Sequence, residues 1–478
     1  MAKKNIVTIK LFDDTINEAE DELNKCWDIL CSIKNYSPSN KTVHNLINFQ
    51  EYLASPLSKL SKLHYKLVRY KKNLIKRKNE LSKKWFKDKL KLIANFEEIN
   101  KETIKIGKSL GDAFVWRFLD NDRTSLEELI GRETNFYLPN RIGGFGELEF
   151  IKSVKHINKN LVIYNSLTNL LTIGDFSLIN LKNNKFVGFG EIKAGKSETN
   201  KLNLTIRLVG DETLKELEIP IKKNAQKEFN YELPKNIDEK LEKQSKKIIT
   251  FLSKEIKEPD DKIKFYISDI SSELKIGIQS IRDNDFYQKI ITGNRLLVIY
   301  KNESLTLHQK FAKGKLKPNL LNKIDAFTQN AKDLLIEDSE KNHIMIGDLD
   351  PSRIMKSSRP IFWNSIDCEI LRKIYFHDVL ILFVYNIESL FQKLISIGFE
   401  VKYSKYLDEV LVTFKDGKKI LEFNKLTHYI NLILYHAMSE YEIIDIILKQ
   451  KELVFSKNIK GPAKININMV NLFNPKAI

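Results

Sequence analysis

Between Leu53 and Leu81 leucine recurs at helical intervals: Leu60, Leu67, Leu74 and Leu81 lie seven apart, with Leu53, Leu57 and Leu63 on the adjoining turns. Apolar positions spaced by three, four and seven residues make one stripe along a helix. Residues from about 13 to 130 read as helical on this pattern. No Gly or Pro interrupts Leu57 to Ile106, so one long amphipathic helix is predicted there. Heptad leucines also suit a dimerising seam, but His64, Lys71 and Lys78 fill the companion positions and leave that seam narrow. The stripe reads first as the inner face of a helical hairpin packed on Asp14 to Ser32. A shorter helical piece, Gly107 to Asp120, presents Phe114, Trp116 and Phe118 for burial and gives Asp112 and Arg117 structural places.

From about Glu133 the period shortens. LVIYNSLTNLLTIGDFSLINL and KFVGFGEIKAG are β-rich runs joined through KNNK, and Leu202, Leu204, Ile206 and Leu208 then alternate with polar residues. The prediction is strand, turn, strand and a further strand. Ile237 to Leu252 returns to helical spacing, while Lys264 to Ile267 and Arg295 to Tyr300 read as more strands of the same region. Gly143-Gly144-Phe145-Gly146 has no strand before it and reads as a turn. A polar stretch, 301–342, leads to a last unit in which HIMIGDL, VLILFVY and VLVTF are strands, with helices at Ile387 to Ile397 and Leu426 to Leu453. The expected fold class is α+β / α/β and multidomain: a basic helical region at 1–130, an α/β domain at 131–310 and a small C-terminal α/β domain at 342–478.

Composition narrows the class of protein. Of 478 residues 42% are hydrophobic and 10% aromatic, which argues for buried cores and against disorder. The longest apolar run, Val379 to Tyr385, is far short of the roughly 20 residues of a membrane span. MAKKNIVTIKLFDD turns acidic before any apolar signal segment develops, so a cytoplasmic location is expected. Cys26, Cys31 and Cys368 make neither a disulfide framework nor a pair of zinc knuckles, and the first two are expected to pack. Eight scattered histidines and no GxSxG motif give hydrolases of the serine or cysteine type no support.

Charge adds a partner. Lys and Arg number 79 against 62 Asp and Glu, a net +17, and residues 59–91 hold fourteen of the cations against only Glu80 and Asp88. A cluster of that density points to a polyanion, and Lys71, Lys72, Lys76, Arg77, Lys78, Lys83 and Lys84 are the candidate nucleic-acid contacts. The plainer alternative is a solvated helix face.

The chemistry concentrates in TIGDFSLINLKNNKFVGFGEIKAGKS, Thr172 to Ser197. Asp175 stands at the end of an apolar strand, and sixteen positions later comes Glu191-Ile192-Lys193. Residues i and i+2 of a strand share a face about 7 Å apart, so Glu191 and Lys193 point together. Two carboxylates can hold Mg²⁺ against a scissile phosphate, and a lysine can orient the attacking water or stabilise developing charge.

These residues resemble the PD-(D/E)XK nuclease superfamily, over roughly residues 131–255. The resemblance implies an αβββαβ restriction-endonuclease-like core, with Asp175 and Glu191 as ligands of Mg²⁺ or Mn²⁺ and Lys193 beside them. It also implies an upstream acid on the first helix, for which Glu147 is chosen over Glu149 and Glu133, and a Gln on the later helix, Gln244. Gly174 stands where the family name has Pro. The register is a strict condition: a two-residue turn at Asn183-Asn184 would pair Lys182 with Lys185 and set Asp175 opposite Ile192, facing away from Glu191. The nuclease reading therefore needs an odd loop or a bulge, for which Gly188 and Gly190 are suited.

The expected activity is a metal-dependent nuclease, endonuclease and DNA favoured, and by analogy a bacterial antiviral defence effector. Its C-terminal unit would be a sensor or a surface for a protein partner or homodimer. One alternative is a non-catalytic nucleic-acid-binding or scaffold protein. A third is a P-loop nucleotidase, since GEIKAGKS, Gly190 to Ser197, fits G-x-x-x-x-G-K-[ST], although the period-two pattern after it argues for a strand where a P-loop needs a helix.

Overall fold

Phe12, Ile16, Ala19, Leu23, Cys26, Trp27 and Leu30 repeat at three and four residues, and all are buried along one side of helix α1 (Ile9–Lys34). Two longer helices follow, α2 (Asn40–Lys76) and α3 (Lys83–Leu119). The computed structural model describes residues 7–34, 40–119, 136–139, 142–157, 160–180, 185–196, 202–210, 270–281, 286–292, 295–302, 343–353, 360–364, 366–404, 410–417, 419–423, 426–435 and 438–456. The chain divides into two units: Met1–Glu255 with Leu305–Lys317 and Ile354–Trp363, and Ile256–Ser304 with Pro318–Arg353 and Asn364–Ile478.

The single helix expected across Leu57 to Ile106 is two. After α2 a 3₁₀ turn spans Lys78–Glu80, and α3 restarts behind Ser82, whose carbonyl accepts from the Phe86 N–H (2.9 Å) and whose hydroxyl accepts from the Trp85 N–H (3.3 Å). Asn and Ser stop helices through their side chains, a weaker local signal than Gly or Pro. Leu60, Leu67 and Leu74 are buried, so the heptad seam is used inside the chain, as a hairpin face. Asn100 donates to the Leu60 carbonyl (3.2 Å), and Phe12 stacks on Phe96 at 3.9 Å, which ties α1 to the pair. Gly107 to Asp120 is no separate piece; through Leu119 it is the end of α3, with Phe114, Trp116 and Phe118 buried as expected.

The expected turn at Gly143 to Gly146 is the first turn of helix α4 (Ile142–Ser153). Glycine's weak helix propensity is overridden by packing: a Cβ at 144 would fall 1.7 Å from the Pro139 carbonyl oxygen. Then come β1 (His156–Ile157), β2 (Asn160–Tyr164), β3 (Phe176–Asn180), β4 (Lys185–Lys196) and β5 (Leu202–Gly210), a sheet in chain order with every pairing antiparallel. α2 attaches to this sheet through Gln50, which donates to the Val162 carbonyl (2.7 Å) and accepts from the Tyr164 N–H (2.8 Å), completing β2 where β1 has ended. Gln50→Leu strands both buried backbone groups and is expected to cost about 3 kcal/mol. The check is the urea midpoint at unchanged slope.

In the other unit β6 (Phe286–Thr292), β7 (Arg295–Lys301), β8 (Ile344–Asp348) and β9 (Val379–Asn386) make a sheet in the order β6-β7-β9-β8. The Arg295 to Tyr300 strand expected beside the Glu191 hairpin therefore belongs to a different sheet and unit. A smaller sheet joins β10 (Glu400–Tyr403), β11 (Val410–Asp416) and β12 (Lys419–Phe423). Among the described residues all strand pairs are antiparallel, so the C-terminal part is α+β, not α/β. Its helices are α5 (Ser271–Ser280), α6 (Cys368–Tyr375), α7 (Glu388–Ser396), α8 (Leu426–Tyr435) and α9 (Glu440–Ser456). The helix expected over Leu426 to Leu453 is thus α8 and α9. Buried Arg295 holds the break: its guanidinium donates to the carbonyls of Met438 (2.7 Å) and Ile433. The expected segments Ile237 to Leu252, with Gln244, and Lys264 to Ile267 lie outside the described residues, as does 303–342. No described helix is long and apolar enough to cross a membrane.

Candidate active site

α4 carries Glu147 into the interior, and β2 fixes the helix from below: the Tyr164 hydroxyl donates to the carbonyls of Val154 (2.6 Å) and Phe150 (3.1 Å), at the end of α4. Glu147 is 6% exposed and its Oε1 has no hydrogen-bond partner. Burial pushes its carboxyl up to about 7, with Asp175 acting in the same direction; Ser166, close by but outside hydrogen-bonding geometry, and Lys108 oppose it. Of the other two candidates for the upstream acid, Glu149 pairs with Lys152 at the surface (3.3 Å) and Glu133 lies outside the described residues.

The chain between β2 and β3 is held from α3. Asp112, 2% exposed, accepts from the Thr168 hydroxyl (2.5 Å), the Asn169 N–H (2.6 Å) and amide (2.9 Å), and the Leu170 N–H (3.3 Å). One turn earlier Lys108, 1% exposed, donates to the Thr168 carbonyl (3.4 Å). Burial raises Asp112 and lowers Lys108 to about 8, the lysine being favoured in its charged form by Asp112 and Glu147. Neither residue stands out as a site in the sequence. The available signal is a Lys and an Asp four apart on a stretch of α3 that is otherwise apolar and Gly-rich.

The loop returns to the sheet at Gly174, with φ of +75°. Proline's ring holds φ near −65°, so the Pro of the family pattern is closed to this backbone. A Cβ here would also meet the Phe189 ring at 2.7 Å and the Gly190 carbonyl at 2.8 Å. Asp175 does not end a strand; it leads into β3. Its N–H donates to the Gly190 carbonyl (2.8 Å), and its Oδ2 accepts from the Ile192 N–H (2.6 Å).

The hairpin register differs from the two-residue turn. Asn180 pairs with Lys185 and Ile179 with Phe186, then the register shifts at Val187, and Leu178 pairs with Gly188 and Phe176 with Gly190. The ladder ends at that pair, and Asp175 departs from its register, with its N–H on the Gly190 carbonyl and its carboxylate on the Ile192 N–H. Without the bulge the same turn would set it against Gly190, facing away from Glu191. Glu191 is half-buried. Lys193 continues β4 opposite Thr205, and its side chain lies outside what is described. Among the described residues no three of His, Cys, Asp and Glu form a ready metal cage.

The P-loop alternative fails here. From Gly188 to Lys196 β4 pairs residue by residue with β5, an extended ladder, whereas a phosphate cradle needs a loop opening a helix. Cysteine chemistry also has no place in this unit's core: burial pushes the Cys26 thiol up to about 12.

Of the candidate nucleic-acid contacts, Lys72, Lys76, Arg77, Lys78, Lys83 and Lys84 are exposed at the end of the α2–α3 hairpin, with Arg77 paired to Glu80 (2.7 Å). Lys71 is half-buried on Glu97 (2.6 Å), which sets it apart from the others.

No family model matches the chain, and no curated protein or solved structure matches it.

Glu147 supplies a pH test. Its carboxyl titrates near 7 in the fold against an ordinary 4.5, so the fold is favoured by its proton below 4.5 and loses that contribution as pH rises through 7. Wild type should fall behind Glu147→Gln by about 2.5 kcal/mol between pH 5 and pH 8. Urea unfolding of both proteins in EDTA at the two pH values checks it.

Proposed function

We propose that this chain hydrolyses phosphodiester bonds of nucleic acid, DNA before RNA, in the manner of PD-(D/E)XK nucleases. The observation that carries the reading is the Asp175 carboxylate accepting from the Ile192 N–H, which holds it on the strand that carries Glu191, beyond a register shift at Val187. With the two-residue β1 set aside, the run of α4, β2, β3 and β4 agrees in order with the αβββ part of that core, while β5 extends the sheet directly and residues 211–269 lie outside the described residues. Asp175 and Glu191 would hold the divalent ion, and buried Glu147, close enough to Asp175 to feel its charge, is the candidate auxiliary acid. A bound Mg²⁺ or Mn²⁺ would neutralise the phosphate and lower the pKa of water.

The chain's own groups then have separate tasks. The Ile192 N–H orients the Asp175 carboxylate through Oδ2. Lys193 is assigned to the attacking water or to the developing negative charge. Glu147, near half-protonation at neutral pH, can take a proton on Oε1. The test is cleavage of plasmid, linear and single-stranded DNA and of RNA with Mg²⁺ or Mn²⁺, for wild type and for Asp175→Ala, Glu191→Ala, Lys193→Ala and Lys196→Ala. Loss in the first three with Lys196→Ala active is expected. If every protein binds and none cleaves, the non-catalytic nucleic-acid-binding reading, favoured by the exposed cations of the hairpin, replaces it.

A further inference from the structure

The hairpin end holds more than charge. Between Arg69 and Lys91 lie eleven cations against Glu80 and Asp88, and nine of the eleven are exposed. Among the described residues only Lys71 and Arg77 of this set are in ion pairs. From Arg69 to Leu92 the one buried residue is Leu74. α1 reaches the hairpin at Phe12 on Phe96, and thirteen residues of α3, about 20 Å of helix, separate Phe96 from Lys83. Within this end two large apolar side chains stand in solvent, Ile75 at 51% and Trp85 at 42% exposure, one on each helix close to the turn. Lys89 lies over the Trp85 ring at 5.8 Å.

We infer that this hairpin end binds single-stranded nucleic acid, its cations neutralising phosphates and Trp85 stacking on an unpaired base. Cations specify only a polyanion, and a duplex satisfies them as well as a single strand. An exposed indole among them adds a preference, because a base in a duplex has its faces covered and an unpaired base does not. Two isolated apolar side chains among nine exposed cations make a poor apolar face for insertion into a bilayer. The inference rests on the nucleic-acid half of the function proposed above and not on hydrolysis, so it is tested in EDTA, where cleavage plays no part.

Fluorescence anisotropy with the full chain would measure binding to a labelled 20-nucleotide DNA strand, the same strand as RNA, and the blunt duplex. Sedimentation with vesicles of phosphatidylcholine and phosphatidylserine is the membrane arm. Both single strands should bind about tenfold more tightly than the duplex, and the DNA and RNA strands should bind alike. Trp85→Ala should weaken strand binding about tenfold and leave duplex binding unchanged, with Trp85→Phe retaining most of the affinity. Lys83→Glu with Lys84→Glu should flatten the salt dependence for strand and duplex alike. Unchanged strand affinity in Trp85→Ala, a duplex bound as tightly as the strand, or vesicles bound in preference to both would each overturn the proposal. Both indole variants alter an exposed position, so a thermal melt equal to wild type should accompany them.

Discussion

Asp175→Asn should reduce metal-dependent cleavage by about 10²- to 10³-fold or more, and its melting temperature should stay near that of wild type. The amide keeps an oxygen for the Ile192 N–H, so the contact that seats this residue on β4 survives. What it removes is a negative charge at the proposed metal position, worth several kcal/mol, and each 1.36 kcal/mol of barrier is a factor of ten. Asp175→Ala removes both, and its stability should fall by about 1–3 kcal/mol because the Ile192 N–H loses its acceptor. The pair separates chemistry from scaffold. Full cleavage by Asp175→Asn, measured as initial rates in Mg²⁺, would take Asp175 out of the site.

The largest stability effect should come from Asp112→Ala, about 3–5 kcal/mol, the range for leaving a buried partner charge uncompensated. The carboxylate gathers four donors from Thr168, Asn169 and Leu170, and Lys108 depends on it and on Glu147 for its charge. For a unit of about 280 residues the melting temperature should drop by about 10 °C. Lys108→Met combined with Asp112→Leu should recover much of the loss, since replacing both charges with apolar volume removes the stranded lysine. Circular-dichroism melts of the three proteins test this. Equal melts for wild type and Asp112→Ala would mean that the loop before Asp175 does not hang on α3.

Much of the fold is legible in single segments. The alternation at Leu202 to Leu208 is β5, HIMIGD is β8, VLILFVY is β9, and the leucine stripe is the inner face of a hairpin. Period and burial agree there because each face meets one environment. Where a remote partner decides, the local pattern misleads. GGFG is helical with Pro139 packed against it, Arg295 to Tyr300 joins β9 and not β4, and α8 stops near where an arginine far away in the chain takes the Ile433 carbonyl.

The site divides in the same way. Asp175, Glu191 and Lys193 are proposed from spacing alone, and a bulge is expected from counting, but its place at Val187 is not. Gln50, Lys108 and Asp112 are invisible because their meaning lies in backbone groups 57 to 114 residues away that they satisfy.

α3 is one uninterrupted helix of 37 residues, about 55 Å from end to end. Its first turns carry exposed cations, and its last turns hold the segment that delivers Asp175. A tilt of α3 as a rigid body would move both ends at once. Linkage then demands reciprocity: a polyanion that binds the outer end more tightly in one tilt must bias the inner latch, and loosening the latch must change the affinity of the outer end by the same factor.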